Sequence, residues 1–78
     1  MIVYTFTGGI LMTFSYNKLW KLLIDNNMLK KDLMQQANIT STTIAKMGKN
    51  EPVSLVVLGR ICVALKCNIG DIVDVIHE

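Results

Sequence analysis

Ser41, Thr42, Thr43, Lys46 and Lys49 put three hydroxyls and two ammonium groups into nine residues, and Lys30 and Lys31 lie shortly before them. Hydroxyls both donate and accept hydrogen bonds, so they can meet base edges, whereas lysine offers a point charge to phosphate. This is the chemistry of binding a polyanion. Nothing in the sequence assembles a catalytic set. Asp71 and Asp74, three apart, fit the solvated face of a helix better than a pair of acid and base. His77 has no ligand-forming partner beyond its acidic neighbours, and Cys62 and Cys67 lack the Cys-x-x-Cys spacing of a zinc site or the number needed for a disulfide framework. Both cysteines read as reduced core thiols. Gly8-Gly9 has no following Lys-Ser/Thr and so makes no phosphate cradle. No enzyme, metal, cofactor or small-molecule ligand is expected.

The 78 residues, 51% apolar and 18% charged, suit one compact domain with a small core that self-association would reinforce. Charge is unevenly spread. From Ser15 to Asn50 six lysines face only Asp25 and Asp32, a net +4, while Glu51 to Glu78 carries a net −2. The basic half is where a polyanion would bind. No apolar run reaches the roughly 18 residues of a membrane span, and Ile2-Val3-Tyr4 lacks a basic leader, so a cytoplasmic location without membrane contact is expected.

The elements that must position these side chains can be read from periodicity. Ile2–Phe6 and Ile10–Phe14 are β-branched, aromatic and apolar around Thr7-Gly8-Gly9, which reads as a hairpin or a strand of a shared sheet, with Gly8-Gly9 supplying positive φ angles. A second reading stays open, in which Met12 is the start and the preceding residues are an upstream extension. Residues 1–14 are thus an arm, and 15–78 the main domain. Leu19, Leu22 and Leu23 place a helix over about Tyr16–Asp25, capped by Ser15 or Asn17 and ended by Asn26-Asn27. A second helix spans Lys30–Ala37, and a third, capped by Thr40 or Ser41, runs to about Met47 with Ile44 and Met47 inward. Ser54 caps a fourth whose inward stripe is Leu55, Leu58, Ile61, Cys62 and Leu65, with Gly59 marking close packing. A fifth short helix, Ile69 to about Ile76, is expected after Asn68, burying Ile69, Ile72 and Val73 or Ile76.

Lys30 through Lys46 then reads as two short helices crossing at a tight turn, the pattern of a helix-turn-helix. Ala37 is small where the helices approach, Asn38 tolerates a left-handed turn, Ile39 plugs the angle and Thr40 caps the second helix. The segments Met28-Leu-Lys-Lys-Asp-Leu, Asn38-Ile-Thr-Ser-Thr-Thr-Ile, Ser54-Leu-x-x-Leu-x-x-Ile-Cys-x-Ala-Leu and Cys67-Asn-Ile-Gly-Asp-Ile together resemble the lambda-repressor-like, Cro/XRE-type helix-turn-helix regulators over Tyr16–Val75. The resemblance implies an all-α, five-helix lambda-repressor-like bundle, here with a short N-terminal β-hairpin or strand arm. It also implies double-stranded operator DNA as partner, a homodimer, and transcriptional regulation with repression as the expected direction.

By position, the resemblance puts Lys30 on a phosphate and Ser41, Thr42 and Lys46 at base edges. The outward polar surface extends this set to Lys31, Thr43, Lys49 and Asn50. Where the family often has Gln, this chain has Lys30 and Ser41 or Thr42, whose contacts discriminate less between bases. Gly48 stands where the family commonly has a Glu-x-Gly ending, so the loop from Gly48 to Val53 is expected to follow a different path. Trp20, Leu23 and Ile24 with Val56, Val57 and Val63 widen the apolar faces of the first and fourth helices, which calls for cover by the arm or by a second copy. The alternative function is a protein-interaction module, such as an antitoxin-like or accessory subunit, using that surface.

Overall fold

A computed structural model describes residues 5–7 and 10–77. Strands β1 (Thr5–Thr7) and β2 (Ile10–Ser15) are antiparallel, with Thr5 opposite Met12 and Thr7 opposite Ile10. The expected strand pair is therefore present. The turn angles assigned to Gly8-Gly9 and the strand assigned to Ile2-Val3-Tyr4 lie outside the described residues. After Phe14 the leucine spacing takes over, and the chain forms α1 (Asn17–Asp25), α2 (Lys30–Ala37), α3 (Ser41–Gly48) and α4 (Leu55–Leu65). The Ser54 hydroxyl accepts a hydrogen bond from the Val57 amide at 3.2 Å and caps α4, whereas Tyr16 holds the cap position of α1 without a side-chain bond and Ser15, one residue before it, accepts from the Asn17 amide at 3.3 Å.

The fifth helix does not form. Past α4 the chain makes a single 3-10 turn, Ile69–Asp71, and then β3 (Asp74–His77), antiparallel to β2 with Thr13 opposite Ile76 and Ser15 opposite Asp74. Among the described residues the protein thus has four α-helices and a three-stranded sheet in the order β1-β2-β3, not an all-α five-helix bundle. The Asn68 amide does bond the Asp71 carboxylate at 2.9 Å, as at a helix start. Gly70 then weakens the helix, and Ile72, Val73, Val75 and Ile76 are β-branched residues that favour an extended backbone. The open edge of β2 from Met12 to Ser15 completes the choice by pairing with them. β2 also runs through the boundary drawn between residues 14 and 15, and its ladder with β3 joins the N-terminal segment to the other end of the domain.

Every helix ends in the same turn. Asn27, Asn38, Asn50 and Lys66 have φ of 55°, 53°, 59° and 55°. The next amide reaches back five residues in each case: Met28 to Leu23 (2.8 Å), Ile39 to Met34 (3.1 Å), Glu51 to Lys46 (3.0 Å) and Cys67 to Cys62 (3.0 Å). This is the Schellman closure, which satisfies helix carbonyls that would otherwise lack partners. Asn accepts the left-handed conformation at low cost, whereas Lys66 does so against its own preference.

The helices enclose one cluster of buried side chains: Tyr16, Leu19, Leu23, Leu33, Ala37, Ile39, Ile44, Met47, Leu58, Ile61 and Ile72. Leu55 and Ile69, expected inside, are instead 72% and 41% exposed. Leu55 stands at the edge of the α4 stripe, about 60° around the helix from Leu58, and Ile69 sits in the 3-10 turn where the helical register no longer applies. The close packing inferred from Gly59 is also absent, since a Cβ there would meet no atom within 4 Å.

Candidate nucleic-acid interface

α2 begins where the Leu29 amide donates to the Asp32 carboxylate at 2.8 Å, an arrangement that also sets a negative charge against the positive end of the helix. Leu33 and Ala37 are buried and anchor α2 against the core. Asn38 turns the chain, the buried Ile39 fills the angle, and the Thr40 hydroxyl accepts from the Thr43 amide at 3.2 Å to start α3. Because Ile44 and Met47 face the core, Ser41, Thr42, Ala45 and Lys46 come to the outside, and Lys49 lies on the same side just beyond them. Thr42, Lys46 and Lys49 form a stripe at steps of four and three. This is a narrow, convex helix face bearing hydroxyls at its start and cations toward its end.

The other expected residues take more particular places. Lys31 is exposed on the first turn of α2. The Lys30 ammonium lies 4.4 Å from the centroid of the Trp20 ring, a cation–π contact worth about 0.5–1 kcal/mol at an exposed site, which orients a lysine that otherwise would be free to swing. Thr43 is half-buried and its hydroxyl lies 3.1 Å from that of Thr40, so it belongs to the cap more than to the outer face. Asn50 is half-buried in the left-handed turn after α3, where its conformation shapes the loop. Gly48 ends α3 without a positive φ, which falls on Asn50 instead.

Lys18 is engaged elsewhere: its ammonium is 3.0 Å from the Asp74 carboxylate and 3.0 Å from the Gly70 carbonyl, joining α1 to the C-terminal segment. Lys31, Lys46 and Lys49 make no ion pair among the described residues, so their charge remains available at the surface. Among those residues no cluster of three or more metal-ligating side chains occurs, and no helix is long and apolar enough to cross a membrane.

Three contributors escaped the sequence reading. Ala45 lies on the outer face of α3, three residues after Thr42, and presents a methyl group of the size that fits beside a thymine methyl. Helical spacing from Thr42 could have found it. The buried Tyr16 donates its hydroxyl to the Glu51 carbonyl at 2.8 Å, fastening the β2–α1 junction to the loop that leaves α3. Burial pushes its phenol above the usual tyrosine value, with a hydrogen bond from the Val53 backbone acting the other way. An aromatic ring with a polar tip at a strand-to-helix junction was a signal for such a strut. Arg60 donates to the Asn38 carbonyl at 3.4 Å and so touches the turn between α2 and α3, a link between residues 22 apart that no local pattern announces.

A family model for the Cro/C1-type helix-turn-helix DNA-binding domain matches residues 18–78, from α1 through β3. The chain belongs to this Cro/C1-type family. A similar solved structure is the crystal structure of the transcriptional regulator VanUg, Form II. It shares 52% sequence identity and a TM-score of 0.81, over 86% of this chain and 89% of that one. Among proteins of curated function none matches. The matched stretch contains α2 and α3, and strands from both ends of the chain form the sheet beside it.

Proposed function

We propose that the protein is a sequence-specific regulator of transcription that binds double-stranded operator DNA as a homodimer and represses. The outer face of α3 carries this reading: exposed Ser41, Thr42, Ala45, Lys46 and Lys49 with no acidic side chain among them. α3 enters the major groove, with Ser41, Thr42 and Lys46 at base edges, while Lys30, Lys31 and Lys49 neutralise phosphates. Thr43 and Asn50 serve this face by holding the cap and the turn. The 52%-identical transcriptional regulator supports the regulatory role. Repression is the simplest mode, because a domain seated on its operator excludes other proteins without needing a further contact.

A homodimer gives short side chains a second half-site to read, with two α3 helices about 34 Å apart. The surface that suits it best is not the one expected on α1 and α4, where Leu23 is buried, Trp20 and Val57 are half-buried, and Ile24, Val56 and Val63 are exposed. It is an apolar cleft lined by Phe14, Pro52, Leu55, Ile69 and Val75, in which Leu55 and Val75 are 72% and 55% exposed. A two-fold contact sets a patch against its own copy, and a patch without charge meets itself without repulsion. Selection of bound fragments from random duplex DNA tests the function: enrichment of a two-fold motif is expected, and recovery of unrelated sequences would refute specificity. Leu55→Asp should convert the dimer to monomers in light scattering.

A further inference from the structure

Cys62 and Cys67 take no part in the interface above, yet the fold sets them side by side. They occupy the two positions that the Schellman closure at Lys66 draws together, and the Cys67 amide donates to the Cys62 carbonyl at 3.0 Å. With an amide nitrogen about 1.5 Å from its own Cα and a carbonyl oxygen less than about 2.8 Å from its own, that bond keeps the two Cα atoms within roughly 7 Å. This is the span a disulfide can bridge. Both thiols are free and half-buried, and both line one surface cleft with Val63, Lys66 and Asn68, so a small reagent can reach them. Burial first, then the adjacent Cys62 and Asp71, pushes the Cys67 thiol up, which favours its protonated form.

We propose that Cys62 and Cys67 form a modification site, a thiol pair that a small-molecule disulfide converts into an intramolecular disulfide across the Lys66 turn. One thiolate attacks a sulfur of the small disulfide, breaks its S–S bond and expels one small thiolate. The second cysteine thiolate then attacks the protein sulfur of this mixed disulfide, forms the Cys62–Cys67 bond and expels the other. The two cysteines lose two electrons, the small disulfide gains them, and the two protons leave on the two released thiols. The product clamps the end of α4 to the segment that leads into β3, and involves no residue of α2 or α3.

The full chain treated with oxidised glutathione, with remaining thiols alkylated before digestion, tests this. The intact mass should fall by two hydrogens with no glutathione retained. Trypsin cuts after Arg60 and Lys66, so peptides 61–66 and 67–78 should stay tethered after digestion and separate when a reductant is added. Cys62→Ser and Cys67→Ser should each retain one glutathione instead. A wild-type chain that keeps glutathione on either cysteine, links to a second chain, or remains unmodified would overturn the proposal, and this reading of the wild type decides even where a serine variant fails to fold.

Discussion

The turns at Asn38 (φ 53°, ψ 53°) and Lys66 (φ 55°, ψ 51°) share one backbone geometry and lead to different structures. After Asn38 comes Ile39, 8% exposed, then the cap Thr40 and the eight residues of α3. After Lys66 comes half-buried Cys67, then Asn68, a three-residue turn and β3. The turn therefore does not choose the element beyond it. That choice rests on whether the next residue anchors in the core and whether the downstream segment prefers a helix. The turn that aims α3 has a residue suited to its conformation and a buried plug behind it. The one after α4 has neither.

Ile39→Ala gives the largest expected effect, a loss of about 2–4 kcal/mol in urea unfolding for truncation of a core isoleucine. Cys67→Ala, at the equivalent place in the other turn, should cost about 1 kcal/mol or less because its side chain is only half-buried. Equal losses would break the comparison. Tyr16→Phe, which removes the strut to Glu51, should cost about 0.5–1.5 kcal/mol. The folded tyrosine holds its proton more tightly than the unfolded one, so this contribution is complete below about pH 10, where free tyrosine titrates, and is lost as pH rises through the higher folded value. Stability of the Phe variant should accordingly decline less steeply in alkali, as measured by unfolding at a series of pH values.

Smaller changes sharpen the contrast. Lys66→Gly should raise stability by about 1 kcal/mol by relieving a left-handed lysine, while Asn38→Gly should shift it by only a few tenths of a kcal/mol, both read from urea midpoints. Gly59→Ala, in open space inside α4, should add about 0.5–1 kcal/mol. A loss there would mean that the neighbouring side chains do not leave the room the backbone indicates.

The helix-turn-helix was legible because each of its signals is local: Ala37, Asn38, Ile39 and Thr40 each state their role within a few residues, and Leu33, Ile44 and Met47 recur at helical steps. The C-terminal segment misled because Ile69, Ile72, Val73 and Ile76 satisfy a helical spacing while their β-branched side chains favour a strand, and the edge of β2 that captures them lies some 60 residues earlier in the chain. Pairing partners that distant leave no trace in local periodicity. Within the candidate site, exposure of Ser41, Thr42 and Lys46 is a consequence of burying Ile44 and Met47. The contacts of Lys30 with Trp20, Tyr16 with Glu51 and Arg60 with Asn38 depend on how helices meet and could not be read from spacing.

The most direct test of the α3 reading is titration of wild type, Thr42→Ala, Lys46→Ala and Lys31→Ala with a selected operator duplex and a random duplex at two salt concentrations. Thr42→Ala and Lys46→Ala should lose about 1–3 kcal/mol on the operator with a smaller loss on random DNA, whereas Lys31→Ala should weaken both alike and flatten the salt dependence. Equal losses on both duplexes for all three variants would contradict the assignment of α3 as the surface that reads sequence.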